Sequence, residues 1–400
     1  MPKRSAATRS RTSKSKDRTW DAVIVGGGIM GCGSAFELAR NGVRVLVLER
    51  SVPGAEASSA AAGILGAQVE SHAQGALFEL ALRSRALYPE WAQSLAAKTG
   101  IDVELRSSGV VRVAFDPKAQ AHVVREHAFQ AKHGCRVETW NRTDLHERLP
   151  AVSGDANAAV YFPDDARIDP PKLLRALHIA AEREGAVFRS GALVKRVVTS
   201  GKRVEGVALD DGSVVRAGRV IVAAGSWSSL VEGVPLPSGG VIPARGQIVE
   251  LCLPLPLFEP VIFGPKCYLV PRDDGRVLIG STLEFVGYRR EVTAVAVRDL
   301  LDAAIRLVPS LGEATLGRTW SNFRPYTQDS QPVIGEAGIE GLLLATGHYR
   351  NGILLAPITA AIVSALVLGK EPPIAPDAWS PLRRSGTRRE KPRKAKRSPR

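Results

Sequence analysis

The sequence predicts an α/β fold: a Rossmann-like lobe on a parallel sheet, with an interleaved α+β lobe on an antiparallel sheet. Three stretches of the 400-residue chain predict it. Residues 21–50, DAVIVGGGIMGCGSAFELARNGVRVLVLER, read as strand, glycine-rich bend, helix and second strand. Residues 240–287 change to short alternating strands separated by tight turns. Residues 342–368 return to a buried strand, a glycine-flanked turn and an apolar helix. With 44% hydrophobic residues, the chain can bury a core large enough for two lobes.

Residues 22–25 are apolar and β-branched, the composition of a strand buried on both faces. Gly26, Gly28 and Gly31 follow in G-x-G-x-x-G register. The first permits the tight turn, the second lets backbone approach a pyrophosphate, and the third lets helix and strand pack closely; the helix N-terminus faces the phosphate charge. Helical spacing runs through Ile29, Ala35, Phe36, Leu38 and Ala39, and Asn41-Gly42 ends it. Residues 43–48 form the second strand, with Glu49 at its carboxyl end, 18 residues past the last glycine. That spacing suits a carboxylate gripping the ribose hydroxyls of an adenosine and disfavours a 2′-phosphate.

After a loop over residues 50–57, SSAAAGILG (residues 58–66) offers small side chains that let backbone run along a flat ligand, a second contact with the same dinucleotide. A long helix is expected over 78–98, strand-like alternation over 103–115 around Gly109, an amphipathic helix over 120–133 and a mixed segment over 140–149. Asp169-Pro170-Pro171 caps a helix that Gly185 stops. Strands follow at 187–188, 193–198, 204–209 and 219–223, with turns at Gly201 and Asp211-Gly212. The last ends in Ala224-Gly225-Ser226-Trp227, small residues at the carboxyl edge of a strand, where α/β sheets bind ligands. Strands at 242–251, 266–271 and 276–282, turned by Asp273-Asp274-Gly275, compose the antiparallel lobe, and a helix over 293–307 follows. Residues 319–355 are expected to return to the first lobe. There the strand 342–345, the turn 346–352 and the helix 353–368 present a third anion-facing helix end to the cleft.

Charge, cysteine and hydropathy narrow the function classes. The net charge of +14 is terminal: residues 1–18 contribute +6 and residues 382–400 contribute +9, which leaves −1 for the rest. Two tails of disordered composition carry the excess, so solvated termini are favoured over contact with nucleic acid or anionic lipid. The basic first segment lacks an apolar stretch, so no secretory signal is expected, an organellar transit peptide being the lesser alternative. No apolar run reaches the ~18 residues that span a bilayer; residues 356–368 are the nearest candidate. Cys32, Cys135, Cys252 and Cys267 form no C-x-x-C pair, which fits a reducing, cytoplasmic setting. His122, His127 and His133 are read as one solvated face of an amphipathic helix, so no metal site is expected.

The order of the segments VIVGGGIMG, SSAAAGILGA, VIPARGQIVEL, CYLVPRDDGRVLIGSTLE, FRPYTQDSQPVIG and ATGHYRNGILLAPITA resembles the glycine oxidases, within the D-amino-acid-oxidase family of FAD enzymes. The resemblance runs from about Trp20 to Gly369, and GHYRNGILLAP is its most discriminating part. It implies a glutathione-reductase-2 type FAD lobe over residues 19–95, 140–228 and 318–370, and a substrate lobe over 96–139 and 229–317. Residues 1–18 and 371–400 stand outside as basic tail and C-terminal extension. It further implies non-covalent FAD, hydride transfer from a small amine to flavin N5, O2 as acceptor with H2O2 released, a link to thiamin thiazole synthesis, and commonly a tetramer.

Carried over residue by residue, Arg324 matches the arginine that pairs with the substrate carboxylate, Arg350 a second residue at the substrate end and Tyr268 a tyrosine lining that pocket. A planar guanidinium can hold a carboxylate bidentately and so fix the α-carbon. Ile29, Met30, Glu49 and Arg50 match cofactor contacts in the first unit, and Ala57, Ser58, Ala62, Gly63 and Ile64 those in the second. Val194 fits the position facing adenine. His348, Tyr349, Arg350, Asn351, Gly352, Ile353 and Leu354 fit the loop around the flavin ring. No cysteine follows Cys267, so no covalent flavin is expected in the C-terminal third. Phe323 and Tyr326-Thr327-Gln328 depart from the family pattern beside Arg324, which leaves the preferred amine open. The competing readings are a D-amino-acid dehydrogenase that passes electrons to a quinone or protein, and a nucleic-acid binder acting through the tails.

Overall fold

The computed structural model describes residues 19–383; the tails predicted as disordered lie outside the described residues, except for Leu382 and Arg383. Four parallel pairings build the first sheet, in the order Leu342–Thr346, Val214–Val222, Trp20–Val25, Val45–Leu48, Val187–Arg189. Val333–Glu336 adds an antiparallel edge. Alternation along the strands explains the layers, because successive side chains leave opposite faces. Ala22, Ile24, Val45, Val47 and Leu343 meet the helices Ile29–Ala39, Ala76–Thr99, Pro170–Arg183 and Ala356–Val367. Val23, Val25, Leu46, Leu48 and Leu344 meet the antiparallel strands Val194–Ser200 and Arg203–Leu209 on the other side.

The second sheet runs Thr315–Tyr326, Ile242–Cys252, Arg276–Gly280, Tyr268–Pro271, Val261–Phe263, Val110–Ala114, Ala158–Phe162, Glu138–Trp140. All its pairings are antiparallel except that between Val261–Phe263 and Val110–Ala114. The helix Ala294–Leu307, capped by the Thr293 hydroxyl, covers one face through Leu300, Ala304 and Leu307.

Several boundaries differ from the sequence expectation. Ala158–Phe162, placed by sequence in the first lobe, pairs with Val110–Ala114 in the second sheet. The segment 318–326, also assigned to the first lobe, is part of the twelve-residue strand Thr315–Tyr326 that edges the second sheet along Ile242–Cys252. Its first half is exposed at the edge and its second half turns Asn322 and Arg324 into the cleft, so no apolar alternation marks it. The alternation over 103–115 yields a strand only at Val110–Ala114, because Gly109 turns the chain at φ +76° against the ring of Tyr161. The final helix begins at Ala356 rather than residue 353, with Pro357 in its first turn. Residues 140–149 resolve into the end of a strand and a helix, Arg142–Arg148, with an Asn141/Asp144 capping box.

A methyl group on Gly31 would lie 1.9 Å from the Gly26 carbonyl oxygen, whereas one on Gly42 meets nothing within 4 Å. Gly31→Ala is expected to cost about 3 kcal/mol or more. Gly42→Ala, strained only by its left-handed backbone, costs about 1–2 kcal/mol. Urea midpoints of the two variants check the contrast.

Candidate active site

A cleft of about 420 Å³ opens at the carboxyl ends of the parallel strands, where the two sheets meet. Its floor is the first glycine bend. Gly26 sits at φ +106°, and a side chain there would strike the Ala223 carbonyl at 2.7 Å. Gly28 is the N-cap of the helix Ile29–Ala39 and supplies no side-chain cap. Only the Ser58 hydroxyl approaches its Cβ position, at 3.2 Å, and that hydroxyl accepts the Ile29 N–H at 2.9 Å. A helix N-terminus under a bend with no side chains is a cradle for a pyrophosphate. The Glu49 carboxylate is buried beside it and accepts from the Gly27 N–H at 2.8 Å and the Ser51 N–H at 2.9 Å. Arg50 pairs with Glu56 and lies 3.9 Å from the Trp227 ring.

The second wall is the segment 57–64. Ala57, Ser58, Ala62, Gly63 and Ile64 all line the cleft. Gly63 is at φ +80°, with the Ile168 carbonyl 2.0 Å from where its Cβ would be. Arg272 holds this wall from behind: its fully buried guanidinium donates to the carbonyls of Ala62 at 2.8 Å and Ile168 at 3.1 Å, and burial pushes its pKa down to about 10. Val194 and Gly225 close the far side, and the Ser228 and Thr346 hydroxyls both donate to the Gly225 carbonyl, at 2.8 and 3.1 Å.

The third wall is the turn 346–353. His348, Tyr349, Arg350, Asn351, Gly352 and Ile353 line the cleft, whereas Leu354 is packed in the helical core and Gly31 lies under the bend. For these two the role is packing, not contact. Tyr349 adopts φ +47°, held by its N–H donating to the Pro325 carbonyl at 2.9 Å and by an edge-on contact with Tyr326. His348 is buried, bonds the Thr359 hydroxyl at 3.0 Å, and has its pKa pushed down to about 3 by that burial.

Arg324, Arg350 and Tyr268 meet at one end. The Arg324 guanidinium lies over Gly246, whose missing side chain makes room for it, and donates to the Thr282 carbonyl at 3.2 Å and the Ser281 hydroxyl at 2.6 Å. Burial lowers its pKa, and Tyr268, Arg350 and Glu70 all lie within Coulombic reach. The Tyr268 ring covers Gly280, its partner across the strands, in the same way. Arg350 donates to both oxygens of Glu70, at 3.0 and 3.3 Å.

Sequence reasoning missed Glu70, Gly246, Ser281 and Arg272. Each acquires its place only through partners distant along the chain. Asp165 was missed too. It accepts the backbone N–H groups of Gln68 and Val69 and the Arg85 guanidinium, and burial pushes its carboxyl up to about 6.

The helical histidines do not share a solvated face. His127 is buried against Phe162 and Gln130. Among the described residues, ligand atoms of His72, Glu126 and His127 lie within 4.8 Å of one another. The Arg112 guanidinium stands 3.4 Å from both Glu126 and His127, placing a positive charge where a cation would go. Among the described residues no helix is long and apolar enough to cross a membrane.

A cleft that cradles a pyrophosphate and ends in an anion anchor is the layout of a dinucleotide-dependent oxidoreductase. A family model described as FAD dependent oxidoreductase (DAO) matches residues 21–366, and the chain belongs to that family. FAD is its cofactor, and the protein is an FAD-dependent amino-acid oxidoreductase. The chain is 37% identical over 356 residues to the glycine oxidase of Geobacillus kaustophilus, covering 88% of this chain and 94% of that one. It is also 37% identical over 375 residues to the bifunctional protein ThiO/ThiG of a Synechocystis species, covering 91% of this chain and 54% of that longer protein. The crystal structure of the Geobacillus kaustophilus glycine oxidase superposes with a TM-score of 0.87 at 36% identity, covering 92% of this chain and all of the other.

Because His348 is held neutral, its contribution to stability is present above pH 6.5 and is lost as pH falls from there toward 3. Between pH 7 and pH 5 the wild type is expected to lose about 2 kcal/mol more than His348→Gln. Urea titrations at both pH values measure the difference.

Proposed function

We propose that the protein oxidises glycine and related small amines, among them sarcosine and small D-amino acids, with O2 as acceptor and H2O2, glyoxylate and ammonia or amine as products. We further propose that the imine formed from glycine feeds the thiazole of thiamin. The observation that carries this reading is Arg324. It is a guanidinium fixed in the same cleft as the dinucleotide cradle, with donors left over after its bonds to Ser281 and Thr282.

The chain's own residues bind and orient. Gly26, Gly28, the Ile29 helix end and Glu49 would hold the pyrophosphate and ribose of FAD, the small residues 57–64 and the turn 346–353 its flat end, and Val194 its adenine. When bound, the cofactor accepts the hydride that leaves the substrate α-carbon. Arg324 fixes the substrate carboxylate, so only one face of the α-carbon is presented. Tyr268 forms an apolar wall that excludes water beside it. No side-chain base is needed, because the amine enters neutral, and the buried, neutral His348 adds no charge to the turn. Among the described residues no cysteine lines the cleft, which supports the reading of non-covalent FAD. The four free cysteines support a reducing cytoplasmic setting, and a homotetramer follows the family pattern.

Anaerobic glycine is expected to bleach the oxidised flavin band, and aerobic turnover to give one peroxide per glycine. Bleaching without peroxide would turn the reading to a dehydrogenase with a quinone or protein acceptor. Arg324→Ala is expected to raise KM for glycine on the order of 100-fold while FAD content is retained.

A further inference from the structure

Arg350 is not a free anchor. Its Nε and Nη2 reach the two oxygens of Glu70 at 3.0 and 3.3 Å, a bidentate pair that spans 280 residues of sequence. Both residues line the cleft. Glu70 is rigidly placed, because it follows directly on Gln68 and Val69, whose N–H groups the buried Asp165 carboxylate accepts at 3.0 and 2.8 Å. Arg85 locks that carboxylate in turn, at 2.6 Å. Among the described residues at the Tyr268 end, the ionised groups are therefore two guanidinium ions and one carboxylate, a net charge of +1.

We propose that Glu70 is the residue that restricts the site to monocarboxylate amines: its carboxylate neutralises Arg350, leaving Arg324, which meets only a carbonyl and a hydroxyl, to receive the substrate carboxylate. One substrate carboxylate neutralises the end of the cleft. A second would have to displace Glu70 from Arg350 or lie beside it, and a like charge at contact distance is strongly unfavourable. This deepens the function proposed above and rests on it for the role of Arg324.

Ligand binding without turnover tests the proposal. Acetate and malonate differ by one carboxylate, and each is titrated into the FAD-loaded protein while the flavin absorption band is followed. The wild type is expected to bind acetate more tightly. In Glu70→Gln the ratio of the malonate to the acetate dissociation constant falls tenfold or more, because Arg350 becomes available to the second carboxylate. Glu70→Ala shows the same fall and serves if the amide variant does not hold FAD. Arg350→Met leaves the ratio at or above the wild-type value. Kinetics give the matching result: kcat/KM for iminodiacetate relative to sarcosine rises in Glu70→Gln. An unchanged malonate-to-acetate ratio in both Glu70 variants, or an equal fall in Arg350→Met, overturns the proposal. Failure of the wild type to oxidise any small amine overturns the function instead, and the binding ratio reads independently of it.

Discussion

The fold depends on an absent methyl group. Where the helix Ile29–Ala39 leaves the first strand, Gly31 lies so close to the Gly26 carbonyl that only hydrogen fits between them. That contact sets the helix directly over the strand ends and aims its N-terminus into the cleft. The entire helix is buried as a result, Glu37 included. Glu37 is stabilised there by Arg40 and the Trp91 indole. Three neighbours of the cleft are positioned relative to this bend: Ser58 through the Ile29 N–H, Glu49 through the Gly27 N–H, and Ala223 against Gly26.

The second sheet contributes charge where the first contributes backbone. Strand pairing places a glycine opposite or beside two large side chains that face the cleft, Gly246 under Arg324 and Gly280 under Tyr268. Buried guanidinium groups recur, at Arg272, Arg245 and Arg324, and each is met by carbonyls, a carboxylate or a hydroxyl. Burial of an ion is tolerated only with such partners, and for Arg272 and Arg324 the partners include the wall residues Ala62 and Ser281. Charge and wall geometry are in this way one set of contacts.

Much of the first lobe was legible in sequence because its constraints are local. Gly26, Gly28 and Glu49 sit where the spacing of the motif puts them, and the cap at Asp169 is where the sequence placed it. The segment 318–326 was misassigned because an exposed edge strand carries no apolar period. Ala158–Phe162 was misassigned because a short apolar strand does not say which sheet it joins. Arg324 was legible only through resemblance. Glu70 was not legible at all, since its meaning lies in Arg350, 280 residues away. His127 looked solvated because three histidines in one helix suggest a polar face, yet Phe162 and Gln130 enclose it.

The strand Thr315–Tyr326 bears on how such an enzyme can change. The Trp320 indole donates to the Ala60 carbonyl, the Ser226 hydroxyl to that of Phe323, and the Tyr349 N–H to that of Pro325. One ribbon thus clasps the segments bearing Ala60, Ser226 and Tyr349 while carrying Arg324, the proposed carboxylate anchor, near its carboxyl end. On the role proposed for Arg324, drift in its neighbours also loosens these three segments, which leaves the rim as the place for new amine preferences to evolve, where the turn bearing Glu70 is tied to its own separate brace.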